Sequence, residues 1–367
     1  MMMKRIGAWI MLLALLTLVD EWHGRCYGCS EEERIGLLEI QSLIDPYRIY
    51  FRDWVDGSNC CEWREIECDN TTRRVIQLSL RGEGYPTFSF SDFSDWVLNA
   101  SLFQPFKELQ SLSLTQAGLV GCMENEGFQV LSSKLSNLDL SINQFNDKSI
   151  LSCFNGNLST LESLDLSFNE LTGGSGSFYG NLLVIYLASK HFLFSFSYHF
   201  FSTHLIISFQ YALEEHHAGL KVLSSRLKKL ENLHLSVNQY NDSIFPSLTG
   251  FSSLKSLDLS TNELTGSGFQ LQPMRLGKLE NLDLSDNQLN SSILSILSGL
   301  SSLKSLDLSR NKLIGSINSL QLQPMRLGKL ENLDLSFNQL NSSILSILSG
   351  LSSLKSLDLS YNKLTGS

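Results

Sequence analysis

Eight times the chain spells a variant of Leu-x-x-Leu-Asp-Leu-Ser-x-Asn-x-Leu, and apart from one longer gap the copies return every 24 to 27 residues. The cores are Leu138-Asp139-Leu140-Ser141, Leu164-Asp165-Leu166-Ser167, Leu233-His234-Leu235-Ser236, Leu257-Asp258-Leu259-Ser260, Leu282-Asp283-Leu284-Ser285, Leu306-Asp307-Leu308-Ser309, Leu333-Asp334-Leu335-Ser336 and Leu357-Asp358-Leu359-Ser360. A fixed period of this length predicts a solenoid, in which no unit can bury its apolar face except by stacking on the next. Such a fold has no closed active-site pocket. It presents one long ruled surface, suited to binding other molecules.

In Leu-Asp-Leu-Ser the leucines alternate with polar residues, the period-2 pattern of a half-buried strand. The expectation is an α/β leucine-rich-repeat solenoid with a parallel sheet on its concave face. Equivalent residues of neighbouring coils then stand about 4.8 Å apart, with leucines pointing in and Asp and Ser pointing out. The Asn after each strand (Asn143, Asn169, Asn238, Asn262, Asn287, Asn311, Asn338, Asn362) falls where the chain turns. Its amide can satisfy backbone groups of the turn and of the next coil, which makes these asparagines structural. Weaker strands at 76–80 and 111–114 begin the stack, for about ten coils in all.

The Asp column (Asp139, Asp165, Asp258, Asp283, Asp307, Asp334, Asp358) reads as part of the repeat consensus and a solvated face, in preference to a cation stripe. Two residues before each strand's first leucine stand Glu231, Lys255, Glu280, Lys304, Glu331 and Lys355, so adjacent strands oppose unlike charges. This alternation makes the duplicated unit two coils long. Indeed 270–309 and 321–360 are identical over forty residues except Asp286 against Phe337, and the next residue differs too, Arg310 against Tyr361. Both positions immediately precede the Asn, at the outer concave edge, where other coils carry Ile142, Phe168, Val237 and Thr261. A third difference, Ile314 against Thr365, falls in the loop.

The net charge of −9 argues against nucleic acid as a partner, since no basic face attracts phosphates. Met1-Met2-Met3-Lys4-Arg5 precedes a fourteen-residue apolar run, 6–19, too short to span a membrane and suited to a signal peptide over 1–28. The small residues Cys26 and Gly28 suggest cleavage before Cys29; a signal anchor is the alternative. Export makes the cysteines readable as disulfides. Cys29, Cys60, Cys61 and Cys68 bracket Trp54 and Trp63, while Cys122 and Cys153 lie about one coil apart and are either paired or buried thiols. Ser30-Glu31-Glu32-Glu33 is a capping box that opens a helix with apolar residues Ile35, Leu37, Leu38, Ile40, Leu43 and Ile44. This helix reads as an N-terminal lid over the first coil. Six glycosylation triplets start at Asn70, Asn99, Asn157, Asn241, Asn290 and Asn341, the last three on the convex side.

The arrangement Cys60-Cys61-Glu62-Trp63 with Cys68, followed by Leu-Asp-Leu-Ser-x-Asn coils, resembles the plant-type leucine-rich-repeat N-terminal domain. From about Cys29 to the end, one insert excepted, the whole is similar to the ectodomain of a plant receptor-like protein. The resemblance implies pairing of Cys29 with Cys60 and of Cys61 with Cys68. It also implies a cell-surface receptor without a kinase, which binds a protein or peptide ligand and signals through a partner or co-receptor kinase, in defence or development. A full-length form would then sit in the plasma membrane, facing outward. The alternative is a soluble extracellular inhibitor or decoy, similar to the polygalacturonase-inhibiting proteins.

The chain departs from that family in three places. Its Gly-x-Ile-Pro turn is eroded to Gly315-Ser316-Ile317-Asn318 and Ser243-Ile244-Phe245-Pro246, so a less regular convex side is expected. No cysteine cap or spanning helix follows Lys363-Leu364-Thr365-Gly366-Ser367, which suggests a truncated sequence without its membrane anchor. Third, Leu164 to Leu233 is 69 residues, and removing the 42 residues 177–218 restores a spacing of 27. That stretch, rich in Phe, Ser and Leu, reads first as a translated intron, with a ligand-binding island or a membrane span as alternatives. The division expected is thus a signal peptide 1–28, a cap 29–70, coils 71–176, the insert 177–218 and coils 219–367.

His199, His204, His216 and His217 in the insert lack the supporting ligands of a metal site, and none is expected. No Gly-x-Ser-x-Gly elbow, phosphate loop, His-Glu-x-x-His or kinase signature occurs, so neither enzyme nor cofactor is expected. The ligand-binding candidates are the exposed-edge residues Phe168, Asp286, Arg310, Phe337 and Tyr361, because exposed aromatics and Arg make interface hot spots.

Overall fold

The computed structural model describes residues 28–80, 96–123, 127–131, 133–154, 158–172, 218–266, 276–297, 299–315 and 327–365. Residues 1–27 of the expected signal peptide, Asn157 and the insert up to residue 217, with its five histidines, lie outside them. Among the described residues, no helix is long and apolar enough to cross a membrane.

The chain opens with helix α1 (Glu31–Ile44), then strands β1 (Ile66–Cys68), β2 (Val75–Ser79), β3 (Trp96–Leu98), β4 (Ser111–Ser113), β5 (Leu119–Cys122) and β6 (Asn137–Asp139). Helix α2 (Asp147–Cys153) and β7 (Ser163–Asp165) follow, then α3 (Ala218–Arg226), β8 (Asn232–His234), α4 (Ile244–Leu248) and β9 (Ser256–Asp258). Last come β10 (Asn281–Asp283), α5 (Ile293–Leu297), β11 (Ser305–Asp307), β12 (Asn332–Asp334), α6 (Ile344–Leu348) and β13 (Ser356–Asp358). One sheet takes eleven of these strands, in the order β1-β2-β4-β6-β7-β8-β9-β10-β11-β12-β13. The ten expected strands are all there and pair in parallel, leucine opposite leucine, as Leu282 with Leu257 and Leu306. Two features were not expected. β1, between the cap cysteines, joins antiparallel to β2, and β3 pairs with β5 in a separate two-stranded sheet.

The strands form because both motif leucines bury: Leu138, Leu140, Leu282, Leu284, Leu306 and Leu308 are at most 3% exposed. Each such side chain contributes about 2 kcal/mol relative to exposure. The long gap leaves no break, since β7 pairs directly with β8 across it. On the side opposite the sheet, the five-residue helices α4, α5 and α6 follow β8, β10 and β12, that is, every second coil. Among the described residues the convex side thus carries a helical turn in alternate coils, while residues 316–318 of the eroded turn lie outside them.

The asparagines seal each coil to its neighbour. Asn287 donates through Nδ2 to the carbonyls of Leu259, Leu284 and Ser285 at 2.9, 3.2 and 3.0 Å, and its Oδ1 accepts from the Leu264 N–H at 3.1 Å. Asn143, Asn169, Asn238, Asn262, Asn311, Asn338 and Asn362 repeat the arrangement. The neighbour they reach is the preceding coil and not the following one. The amide projects back over the turn that the chain has just stacked upon.

At the N-terminal end, Ser30 and Glu33 form the expected capping box on α1. Glu33 does more than cap. It is fully buried and accepts from Arg74 Nε at 2.9 Å and from the Val75 N–H at 3.3 Å, which locks α1 onto β2. Gly36 lets α1 approach closely, for a Cβ there would stand 3.0 Å from the Pro105 ring. Leu37 and Ile40 bury, whereas Ile35 and Leu43 are more than half exposed on the outer face of the helix. Trp54 stacks on Trp63 at 5.7 Å and donates to the Arg64 carbonyl. Disulfides join Cys29 to Cys60 and Cys61 to Cys68, and Cys122 is bonded to Cys153, tying β5 to α2.

Replacing Asn287 by Ala removes the two cross-coil bonds, to the Leu264 N–H and the Leu259 carbonyl, and leaves both groups unsatisfied. The expected loss is about 3 kcal/mol of unfolding free energy, read from urea midpoints. A loss under about 0.5 kcal/mol would show that the coils are held by leucine burial alone.

Candidate recognition surface

The strand face carries the Asp column, whose carboxylates are already engaged through Oδ1. Asp283 Oδ1 accepts from the Ser285 N–H at 2.9 Å and from its hydroxyl at 2.7 Å. Asp139, Asp165 and Asp258 hold Ser141, Ser167 and Ser260 in the same way. The motif serine was expected to point out. It instead folds back onto its own Asp, and Ser141, Ser167, Ser309 and Ser336 are buried. At the edge where the chain enters each strand, Lys255, Lys304 and Lys355 reach back to Glu231, Glu280 and Glu331 at 2.7, 2.7 and 2.8 Å. Exposed pairs of this kind contribute under about 1 kcal/mol each.

Past the motif serine (Thr115 in the β4 coil), nine of the described coils place one residue in the left-handed backbone region. Gln116, Ile142, Phe168, Val237, Thr261, Asp286, Arg310, Phe337 and Tyr361 all have φ between 51° and 56°. The chain needs this conformation to swing the following Asn inward. The N–H of the left-handed residue donates to the motif serine of the next coil, as Phe168 to Ser236 at 2.9 Å and Arg310 to Ser336 at 3.0 Å. Their side chains consequently line up in one solvent-facing column. For β-branched residues this backbone is costly, on the order of 1–2 kcal/mol, yet Ile142, Val237 and Thr261 occupy it. The column faces solvent, with Ile142 41%, Phe168 52% and Tyr361 74% exposed and Val237 half-buried.

All five residues expected to bind ligand lie in this column, and four of them meet side by side. Asp286 Oδ2 lies 3.9 Å from Arg310 Nε, the Arg310 guanidinium lies 4.7 Å above the Phe337 ring, and Phe337 stacks on Tyr361 at 4.1 Å with planes 11° apart. The guanidinium is thus held flat by an aromatic on one side and a carboxylate on the other, which leaves its outer edge toward solvent. Phe168 is not part of this row. It stands between Ile142 and Val237 and with them lines an open groove floored by Gly118, Asn143, Gln144 and Asn169.

His234 was not singled out by its sequence position, although it alone interrupts the Asp column. It sits in register between Asp165 on β7 and Asp258 on β9, with Nδ1 3.9 Å from Asp258 Oδ2. The Asp258 carboxylate is the main reason that its imidazole titrates above the ordinary value. Partial burial opposes the shift, and Asp165 and Asp139 add to it. Among the glycosylation triplets, Asn70 and Asn341 are exposed, while Asn99, Asn241 and Asn290 are partly so. Asn241, Asn290 and Asn341 accept from the N–H of Ser243, Ser292 and Ser343, at the approach to α4, α5 and α6 and away from the left-handed column.

Residues 30–69 match the leucine rich repeat N-terminal domain family. Leucine rich repeats match at 157–177, 252–270 and 350–367 and at 278–300, 302–322 and 329–351. The chain is 33% identical over 253 residues to Cuscuta receptor 1 of Solanum lycopersicum, covering 65% of this chain and 21% of that protein. Receptor-like protein 9a of Arabidopsis thaliana is 36% identical over 173 residues, covering 46% of this chain and 16% of that protein. The chain thus spans about a fifth of the length of these curated relatives. Among solved structures, the ectodomain of the Arabidopsis receptor kinase HAESA, in complex with an extended IDA peptide hormone, aligns over 90% of this chain and 53% of that one. The identity is 26% and the TM-score 0.46.

Because its folded-state pKa is raised, His234 stabilises the folded chain fully below the ordinary imidazole value of about 6.5. That contribution fades as pH rises through the folded value. His234→Asn should therefore reduce stability more at pH 5.5 than at pH 8.5. Solvent screening keeps the difference under about 1 kcal/mol. A stability gap between the two proteins that does not change with pH would remove the histidine's role.

Proposed function

We propose, for a chain that is a leucine-rich-repeat protein of the plant receptor-like kind, a role as an extracellular recognition module rather than an enzyme. Its ligand, a protein or peptide, lies along the left-handed column at the edge of the concave sheet. The full-length protein holds this module on the outer face of the plasma membrane and passes the signal to a partner receptor kinase. Three disulfides and the convex triplets at Asn241, Asn290 and Asn341 suit an oxidising, glycosylating route to that face.

The observation that carries this reading is the column itself. Nine coils hold a residue in the same strained geometry, yet those residues run from Asp to Arg to Tyr. In the two near-identical units the changes Asp286 to Phe337 and Arg310 to Tyr361 fall there. A position constrained in backbone but free in side chain is where a repeat scaffold can write specificity. The row Asp286, Arg310, Phe337 and Tyr361 supplies the aromatic and guanidinium groups that dominate interface energetics.

The test is direct binding. The glycosylated chain, immobilised, is exposed to fractionated peptides from plant extracellular fluid, alongside an Arg310→Ala/Phe337→Ala variant. Fractions that bind the native chain should bind the variant at least about tenfold more weakly, a loss of about 1.4 kcal/mol. Leu345→Ala, on the opposite side, should leave binding unchanged. Equal retention by all three proteins would place recognition elsewhere.

Glycan occupancy supplies an independent check of the extracellular route. Enzymatic removal of N-glycans from chain secreted by plant cells should leave Asp in place of Asn at position 341, read by peptide mass. An unmodified Asn341 in secreted protein would count against that route.

A further inference from the structure

We propose that the groove between Ile142, Phe168 and Val237 seats an apolar side chain of a peptide segment that also carries a Lys or Arg within two residues of it. This rests on the reading of the chain as a recognition module, and it names the chemistry of one part of the ligand.

The groove crosses three adjacent coils, since β6, β7 and β8 are consecutive in the sheet. Its walls are apolar and accessible, with Ile142 41% and Phe168 52% exposed. Its rim is fixed by the backbone: Ile142 and Val237 are β-branched residues held at φ 55° and 51°, where the ladder sets the direction of their side chains. The floor is rigid, because Asn143 and Asn169 are buried with their amides bonded to the coils on which they stack. An apolar side chain entering here meets Phe168 across a prepared surface and displaces no hydrogen-bonded group.

Charge identifies the neighbour of that side chain. Asp165 lies three residues before Phe168 on the same coil, within about 10 Å along the chain. Its Oδ1 accepts from the Ser167 N–H and hydroxyl, and its Oδ2 takes no donor among the described residues. The corresponding oxygen of Asp139 accepts from Ser113 and Thr115, and that of Asp258 faces His234. Asp165 is therefore the carboxylate of this region with an acceptor to offer. A ligand cation on it would also lie within reach of the Phe168 ring, whose face attracts cations. A ligand carboxylate there would meet Asp139, Asp165 and Asp258 together.

His234 adds a signature that a purely apolar pocket would lack. It faces Asp165 on one side and Asp258 on the other, with Asp139 and Asp283 the next carboxylates along the column. Protonated, it competes with a ligand cation for Asp165; neutral, it does not. Affinity for the cationic segment should rise as pH passes upward through the titration of His234.

The experiment pans a random dodecapeptide phage library against the whole glycosylated chain, with counter-selection on Ile142→Asp/Phe168→Asp. The expected consensus places Leu, Ile, Phe or Trp within two residues of Lys or Arg. A synthetic consensus peptide should bind Phe168→Ala and Asp165→Asn at least tenfold more weakly than native chain, with circular dichroism unchanged for both. Its affinity should rise severalfold between pH 5.5 and 8, and His234→Asn should abolish that rise. Failure to enrich any peptide, an acidic consensus, or a peptide indifferent to Phe168→Ala overturns the proposal. If the selected peptides are lost on Arg310→Ala/Phe337→Ala and not on Phe168→Ala, the groove assignment falls while the recognition role stands. If neither set of substitutions alters binding, both fall.

Discussion

The structure depends on an amide that faces inward from a turn. Each ladder asparagine fills both its donor and acceptor capacity with backbone groups, part on its own coil and part on the coil before. A hydroxyl could not do this, because it offers one donor, and a carboxylate offers none. Leucine burial supplies the larger free energy but is non-directional. The asparagine converts that attraction into one coil spacing and one register. To place the amide, the preceding residue must turn left-handed, so the surface column at φ 51° to 56° is the geometric consequence of the interior ladder.

Much of this is legible in the sequence because the repeat is its own alignment. Strands β6 to β13, the parallel register and the capping box at Ser30 all follow from periodicity and residue type. The features missed share a cause: each depends on a contact between residues that no period relates. β1 exists because Cys61 and Cys68 are bonded across a turn that returns the chain antiparallel to β2. Glu33 reads as a capping residue, and only the fold brings Arg74 to its buried carboxylate. The motif serine looked like a surface residue because alternation assigns it outward; its bond to Asp two residues earlier is local and invisible to a period-2 argument. The left-handed column escaped notice because it shows no preference for Gly or Asn, the usual signal of that conformation.

The candidate site divided in a similar way. Asp286, Arg310, Phe337 and Tyr361 were chosen for exposure and residue type, and the two-coil period then sets them side by side. Phe168 was chosen on the same grounds but belongs with Ile142 and Val237, because the residues 173–217 lie between coils that are neighbours in the sheet. Sequence distance across an insertion says nothing of such neighbours. His234 carries the same lesson. As a deviation from a consensus it looks like drift, whereas in register it divides a row of carboxylates and gives Asp258 a counter-charge.

The balance of energies explains why variation collects where it does. A left-handed β-branched residue costs about 1–2 kcal/mol. One ladder asparagine returns several hydrogen bonds worth about 1 kcal/mol each, and each buried leucine about 2 kcal/mol more. Every coil therefore tolerates the strain of its own exposed residue, whatever that residue is. A change at 286 or 310 leaves the ladder, the leucines and the Glu–Lys pairs intact, since all of these lie on other faces of the coil. Substitution in the column is thus decoupled from folding, which is the physical condition for a duplicated unit to acquire new contacts without losing its shape.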